Sequence, residues 1–193
     1  MSLDTPIPMP LSSDHTADDE SLWIRKAQRG DQAAFTLLYR RHAQAIHSLA
    51  WRLTSDRQLA EDIAQETFMR LLRRFGGADP ERPLRPWLRQ VASNLAIDRL
   101  RRSTLVLSDD ILASAPALES EPDAYGEALG LLRHLSPMAR ALVWLNQVEG
   151  RTHLELGTQF KRSESWSKSI VSRALLHLRE LASDKRSPSH ESR

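Results

Sequence analysis

Between residues 32 and 53 the chain repeats its apolar positions every three or four residues. Phe35, Leu38, Ala45, Ile46, Leu49 and Leu53, with His42 among them, fall on one arc of a helix. Asp31 stands where an N-cap belongs, and Gly30 closes a shorter helical stretch, "SLWIRKAQR", in front of it. A third helix, "RQLAEDIAQETFMRLLRRF", takes Ser55 or Asp56 as its cap and stops at Gly76 and Gly77. Pro80, Pro83 and Pro86 then punctuate a loop. The helix that follows, "WLRQVASNLAIDRLRR" over residues 87–102, turns Leu88, Val91, Ala92, Leu95, Ala96 and Leu100 to one side. Its opposite side carries Gln90, Ser93, Asn94 and Arg101, with Trp87 at the margin, and Arg99, Arg101 and Arg102 crowd its last turn.

The periodicity lapses over residues 103–122, where Ser, Ala, Asp and Pro dominate, and resumes in "DAYGEALGLLRHL". Ser136 followed by Pro137 marks another helix start, a capping hydroxyl with a proline in the first turn. "MARALVWLNQVEG" runs from there to Gly150, and "THLELGTQF" and "SESWSKSIVSRALLHLRELA" follow, separated at Lys161–Arg162. The pattern contains no convincing strand and no long-period repeat. It predicts an all-α chain of two small helical domains, over residues 21–102 and 128–183. An acidic flexible linker over 103–127 joins them, a disordered acidic tail occupies 1–20, and a short tail occupies 184–193.

Charge sharpens this division. The formal net charge is only +2, yet residues 1–20 hold five acids and no Lys or Arg, and residues 21–102 hold 16 bases against 8 acids. Residues 103–127 hold six acids and no base, and residues 128–193 hold 11 bases against 6 acids. Two basic modules flanking an acidic link suit partners that are polyanions; solvated helical faces would also account for the charges. There is no cysteine, so a disulfide framework and thiolate metal sites are excluded. The start of the chain lacks the basic and apolar runs of a signal peptide, and no apolar run approaches the roughly 20 residues that span a bilayer. A soluble, cytoplasmic protein is expected.

Candidate chemistry is of the binding kind. A short helix, a tight polar turn and a longer basic helix outline a helix-turn-helix, whose second helix lies in the DNA major groove. Here that helix starts near Ser163, buries Val171, Ala174, Leu175 and Leu178, and turns Lys168, Ser169, Ser172 and Arg173 toward the groove. Lys and Arg donate to guanine edges or phosphates, and Ser adapts to either. Glu61, Asp62, Gln65 and Glu66 form an acidic cluster in the basic first module. No histidine accompanies them at ligand spacing, so they read either as a protein-docking surface or as a solvated face. No zinc motif, Gly-rich phosphate loop or nucleophile elbow occurs. Trp87, Gln90 and Asn94 beside the proline loop could stack on and hydrogen-bond unpaired bases, with arginines holding phosphates; packing of Trp87 into the core is the other arrangement the spacing allows.

These runs together resemble a known family. "GDQAAFTLLYRRH", "AEDIAQETFMRLLRRF" and "RPWLRQVASNLAIDRLRR" are similar to the sigma-two domain of extracytoplasmic-function sigma factors, within the sigma-70 family of bacterial RNA polymerase. "LSPMARALVWLNQVEGRTHLELGTQF" and "SWSKSIVSRALLHLREL" resemble the sigma-four domain. The resemblance implies that Asp62, Gln65, Glu66 and Phe68, with Glu61 beside them, dock on the β′ clamp helices of core RNA polymerase, the β subunit being a further contact. It implies that Trp87, Gln90 and Asn94 capture a flipped base of the melted −10 promoter element while Arg99, Arg101 and Arg102 follow the DNA backbone. Lys168, Ser169, Ser172 and Arg173 would read the −35 element. An anti-sigma partner is implied as well, and neither cofactor, metal nor catalysis is expected. A stand-alone helix-turn-helix regulator is the alternative. Three departures from the family pattern stand in the second module: Gly157, expected to loosen its helix; the Lys161–Arg162 turn; and Trp166–Ser167, which puts a polar residue at an apolar packing position.

Overall fold

The computed structural model describes residues 15–77, 79–104 and 130–186. The greater part of the expected linker, most of the helix expected at 123–135, and the tails up to residue 14 and from residue 187 lie outside the described residues. The helices are α1 (His15–Gln28), α2 (Gln32–Thr54), α3 (Arg57–Arg74), α4 (Leu84–Thr104), α5 (Pro137–Gln147), α6 (His153–Phe160) and α7 (Glu164–Arg186), and a single 3-10 turn, Phe75–Gly77, follows α3. No strand occurs among the described residues.

The caps explain most of these boundaries. The Asp31 carboxylate accepts the N–H groups of Ala33 and Ala34, and Asp56 accepts that of Leu59. Ser55, the other cap expected for α3, instead ends α2 in a left-handed conformation with its N–H on the Trp51 carbonyl. Ser136 caps α5 with Pro137 in the first turn, as the sequence predicts. Thr152 and Glu155 close a capping box on α6, each side chain accepting the other's backbone N–H.

Helix α1 begins at His15, inside the segment expected to be a tail, and Glu20 supplies the reason. Its carboxylate, 12% exposed, meets His42 at 3.1 Å and Arg41 at 3.2 Å and accepts the Leu84 N–H at 3.0 Å. The hydrogen bond with His42, followed by the Leu84 N–H, holds Glu20 below the usual carboxylate range, although burial opposes this. One acid thus ties α1, α2 and α4 together.

The core is continuous. Leu38, Ile46, Leu49 and Leu53 of α2 join Ile63 and Leu71 of α3 and Leu88, Ala92 and Ala96 of α4 in one buried cluster, which runs on into Leu142 and Leu145 of α5, Leu156 of α6 and Ile170 of α7. The two modules therefore pack together: α2 against α5, and α4 against both α5 and α6. Ser93 and Ile97 are accordingly buried. This corrects the placement of Ser93 on an exposed face. Helix α4 is covered on two sides, and its second covering comes from residues far away in sequence.

Gly157 also departs from expectation. A Cβ built there would lie 2.9 Å from the backbone of Ser163 and 3.0 Å from the Arg162 carbonyl oxygen. The residue does not loosen α6; it lets the turn into α7 pass against the helix, with the Arg162 N–H on the Gly157 carbonyl at 2.8 Å. Alanine normally gains about 1 kcal/mol over glycine in a helix, and overpacking costs about 1–3 kcal/mol. The backbone of the turn cannot yield as a flexible side chain would, so Gly157→Ala is expected to lower the thermal midpoint; a raised midpoint would show that the turn adjusts freely.

Candidate partner and nucleic-acid faces

Three surfaces carry the residues singled out by the sequence. The first is a groove of about 490 Å³ between α2 and α3, lined by Phe35, Tyr39, His47, Glu61, Gln65, Phe68, Met69 and Leu72 among others. Glu61, Gln65, Phe68 and Leu72 follow one another at spacings of four, three and four, one stripe of α3. Phe68 is buried and forms the floor, its ring edge-on to Tyr39 with centroids 4.7 Å apart. Tyr39, Met69 and Leu72 stay 46%, 42% and 46% exposed. Apolar side chains of this size, left uncovered together and rimmed by Glu61 and Gln65, make a face suited to another protein.

The remaining acids of the cluster stand apart from that groove. Asp62 is exposed and accepts from Gln58 at 3.4 Å, one position round the helix. Glu66 faces α3's own arginines, Arg70 at 2.9 Å and Arg73 at 3.6 Å, and the Arg70 hydrogen bond lowers its pKa. Tyr39, Met69 and Leu72 do not stand out in the sequence by type or by charge. The signal is present: α2 carries Phe35, Tyr39, Ala43 and His47 at intervals of four, a second stripe beside its core face.

The second surface is α4. Trp87 is half-buried against the core, with the Arg74 guanidinium 5.9 Å from its ring centroid, so it both packs and borders the surface. Asn94 is exposed, and its side-chain oxygen accepts from Gln90 at 3.0 Å. Arg99 and Arg102 are exposed. Gln90 and Arg101 are engaged by the second module: Arg151 donates to the Gln90 side-chain oxygen at 3.0 Å, and Arg101 donates to the Gln159 carbonyl at 3.4 Å while pairing with Asp98. Between them on the same stripe lie the buried Ser93 and Ile97. Arg89, one residue away, binds both carboxylate oxygens of Glu149. The turn that presents Glu149 and Arg151 is fixed by the Trp144 indole N–H on Glu149 at 3.1 Å, the Asn146 amide on the Arg151 carbonyl at 2.8 Å, and a left-handed Gly150.

Two more guanidinium groups sit in this junction. Arg52 lies 5.0 Å from the Trp144 ring centroid. Arg140, 5% exposed, donates to the Ser55 hydroxyl, and its Nε and Nη2 have no hydrogen-bond partner among the described residues. Burial lowers its pKa to about 10. A buried cation so poorly matched opposes the packing that buries it.

The third surface is α7. Lys168, Ser169, Ser172 and Arg173 are all exposed, opposite the buried Ile170, Val171 and Ala174. Lys168 pairs with Glu164 one turn earlier at 2.6 Å. Ser163 caps the helix through the Trp166 N–H, and Trp166 rests on Phe160 with ring centroids 5.6 Å apart. The buried Ser167 hydroxyl is matched by His153 Nδ1 at 3.1 Å, so the polar residue at this packing position is satisfied. The Lys161–Arg162 turn closes with Lys161 left-handed, φ +55°. No cluster of potential metal ligands occurs among the described residues.

Known proteins resemble this chain in sequence and in fold. Residues 38–105 match the family model described as Sigma-70 region 2. The chain is 33% identical over 164 residues to the RNA polymerase sigma factor CarQ of Myxococcus xanthus, covering 82% of this chain and 94% of that one. It is 32% identical over 168 residues to the ECF RNA polymerase sigma factor SigL of Mycobacterium tuberculosis, covering 81% and 93%. The sigma factor RpoE of Bartonella quintana, solved with the anti-sigma factor NepR, shares the fold at a TM-score of 0.50 and 23% identity, over 77% of this chain and 96% of that one.

Proposed function

The chain belongs to the extracytoplasmic-function sigma factors of the sigma-70 family, and on that premise we propose how its three surfaces divide the work of an alternative sigma factor. The α2–α3 groove docks on the β′ clamp helices of core RNA polymerase, with Tyr39, Met69 and Leu72 covered, Phe68 as the floor, Glu61 and Gln65 at the rim, and Asp62 and Glu66 on the adjoining face of α3. The exposed edge of α4, with Trp87, Gln90 and Asn94, takes a base of the melted −10 element, and Arg99, Arg101 and Arg102 hold the adjoining phosphates. The outer face of α7, with Lys168, Ser169, Ser172 and Arg173, reads the −35 element in the major groove. The factor acts without catalysis of its own, in the cytoplasm, and an anti-sigma protein restrains it. No described helix is long and apolar enough to cross a membrane.

The observation that carries this reading is the uncovered groove. A protein that only bound duplex DNA would have no use for three large apolar side chains open beside a carboxylate on the module that does not hold the helix-turn-helix. The test is co-elution of the full chain with sigma-free core polymerase. A stoichiometric complex is expected; absence of a complex between active components would favour the stand-alone regulator.

A further inference from the structure

Helix α4 begins in a sequence that cannot cap itself. Its opening, "PLRPW", places Pro83 at the N-cap position, with no side-chain acceptor to offer, and the first turn holds no acid. The missing acceptor comes from α1: Glu20 Oε1 accepts the Leu84 N–H at 3.0 Å across 64 positions of sequence. Its other oxygen, Oε2, is held by His42 Nε2 at 3.1 Å and Arg41 Nε at 3.2 Å, so the carboxylate cannot swing away without leaving the nearly buried His42 unmatched. A second link from α1, Arg25 to Glu81, holds the loop just ahead of the helix. The carboxylate also meets the positive end of the α4 dipole, which reinforces the cap.

Resting on the −10 role proposed above, we propose that Glu20 is a positioning residue for promoter-base recognition, acting through the first turn of α4 without touching DNA. Trp87 is in that turn, and Gln90 and Asn94 follow in the next two. Their directions depend on where α4 starts and at what angle it leaves the proline loop. Released from Glu20, the turn frays, and the side chains that select the base lose their common orientation.

The experiment compares holoenzymes formed from core polymerase and the unmodified chain, Glu20→Ala, Glu20→Gln, and Glu20→Ala combined with Pro83→Asp. Each is measured on pre-melted promoter DNA carrying either the natural −10 element or a base-substituted one. Amide exchange at Leu84, Arg85 and Trp87 of the free chain is followed in parallel. Loss of a cap predicts about tenfold weaker discrimination between the two DNAs for Glu20→Ala, and about threefold for Glu20→Gln, which keeps a neutral acceptor. Core binding and −35 duplex binding stay unchanged, exchange at the first turn accelerates, and the local acceptor in Pro83→Asp restores discrimination. A merely structural role would weaken every readout together and would not respond to Pro83→Asp. If Glu20→Ala does not fold, Glu20→Gln with and without Pro83→Asp carries the same comparison. Unchanged discrimination in a folded variant, or a loss that Pro83→Asp leaves in place, overturns the proposal alone. Failure of the unmodified chain to bind core polymerase refutes the proposed function, and this inference with it.

Discussion

With Glu61 and Gln65 both replaced by arginine, the folded protein is expected to lose its affinity for core RNA polymerase. Truncating a hot-spot residue of an interface costs about 2 kcal/mol or more, roughly thirtyfold in affinity. Reversing the charge at Glu61 and introducing one at Gln65 puts two cations on the rim of the α2–α3 groove and adds repulsion to that loss, so a reduction of about a hundredfold or more is expected. Both residues are exposed and arginine is a good helix former, so α3 tolerates them. Circular dichroism and thermal melting check that it has. Glu66 is a poorer target for this purpose. It neutralises both Arg70 and Arg73, whereas Glu61 faces only the more exposed Arg57 at 3.4 Å, so reversal at Glu66 would disturb the helix's own charges more. Arginine at Lys168 serves as the control, because α7 lies on another face; that variant should bind core polymerase unchanged. A folded Glu61→Arg, Gln65→Arg protein that still co-elutes stoichiometrically would remove the groove from the docking surface.

The second large effect concerns the junction between modules. Glu149→Lys is expected to separate them, because it removes the acceptor shared by Arg89 and Trp144 and places a third cation beside Arg89 and Arg151. The Arg89–Glu149 pair is 27% and 13% exposed, between the surface and interior limits. Breaking it should cost about 2 kcal/mol, between the values for exposed and buried pairs. The opened chain frees Gln90 and Arg101. Free of polymerase, it should bind single-stranded −10 DNA several-fold more tightly than the unmodified protein and show a larger radius of gyration in small-angle scattering. Arg140→Met should do the reverse. It replaces an ill-matched buried guanidinium with an apolar side chain of similar length, which is often neutral or stabilising. Equal radii and equal DNA binding across the three proteins would show that the junction does not govern access to α4.

The sequence made some of this legible and hid the rest for identifiable reasons. Caps are local, and Asp31, Asp56 and Ser136 announce three helices from a few neighbouring residues. The exposed face of α7 follows from one helical period and a polar turn. Glu20 reads as part of a tail because it ends an acidic run, and its partners His42 and Leu84 are distant in sequence. Ser93 reads as exposed because helical spacing records one buried face, whereas α4 has two. Gly157 looked like a propensity defect; the contact that requires it is made by the backbone of Ser163 across the turn. In the α2–α3 groove, Glu61 and Gln65 stand out by charge and polarity. Tyr39, Met69 and Leu72 do not, because single apolar residues on a helix surface are ordinary until the fold gathers them.

The central claim is that this chain gives core polymerase its choice of promoter. Mapping transcript starts on genomic DNA, with sigma-free core polymerase and the full chain, tests it most directly. The account predicts starts that core polymerase alone does not make, preceded by two shared sequence elements at a fixed separation, with the downstream one lost first when Trp87 or Asn94 is replaced by alanine. Starts indistinguishable from those of core polymerase alone would contradict it.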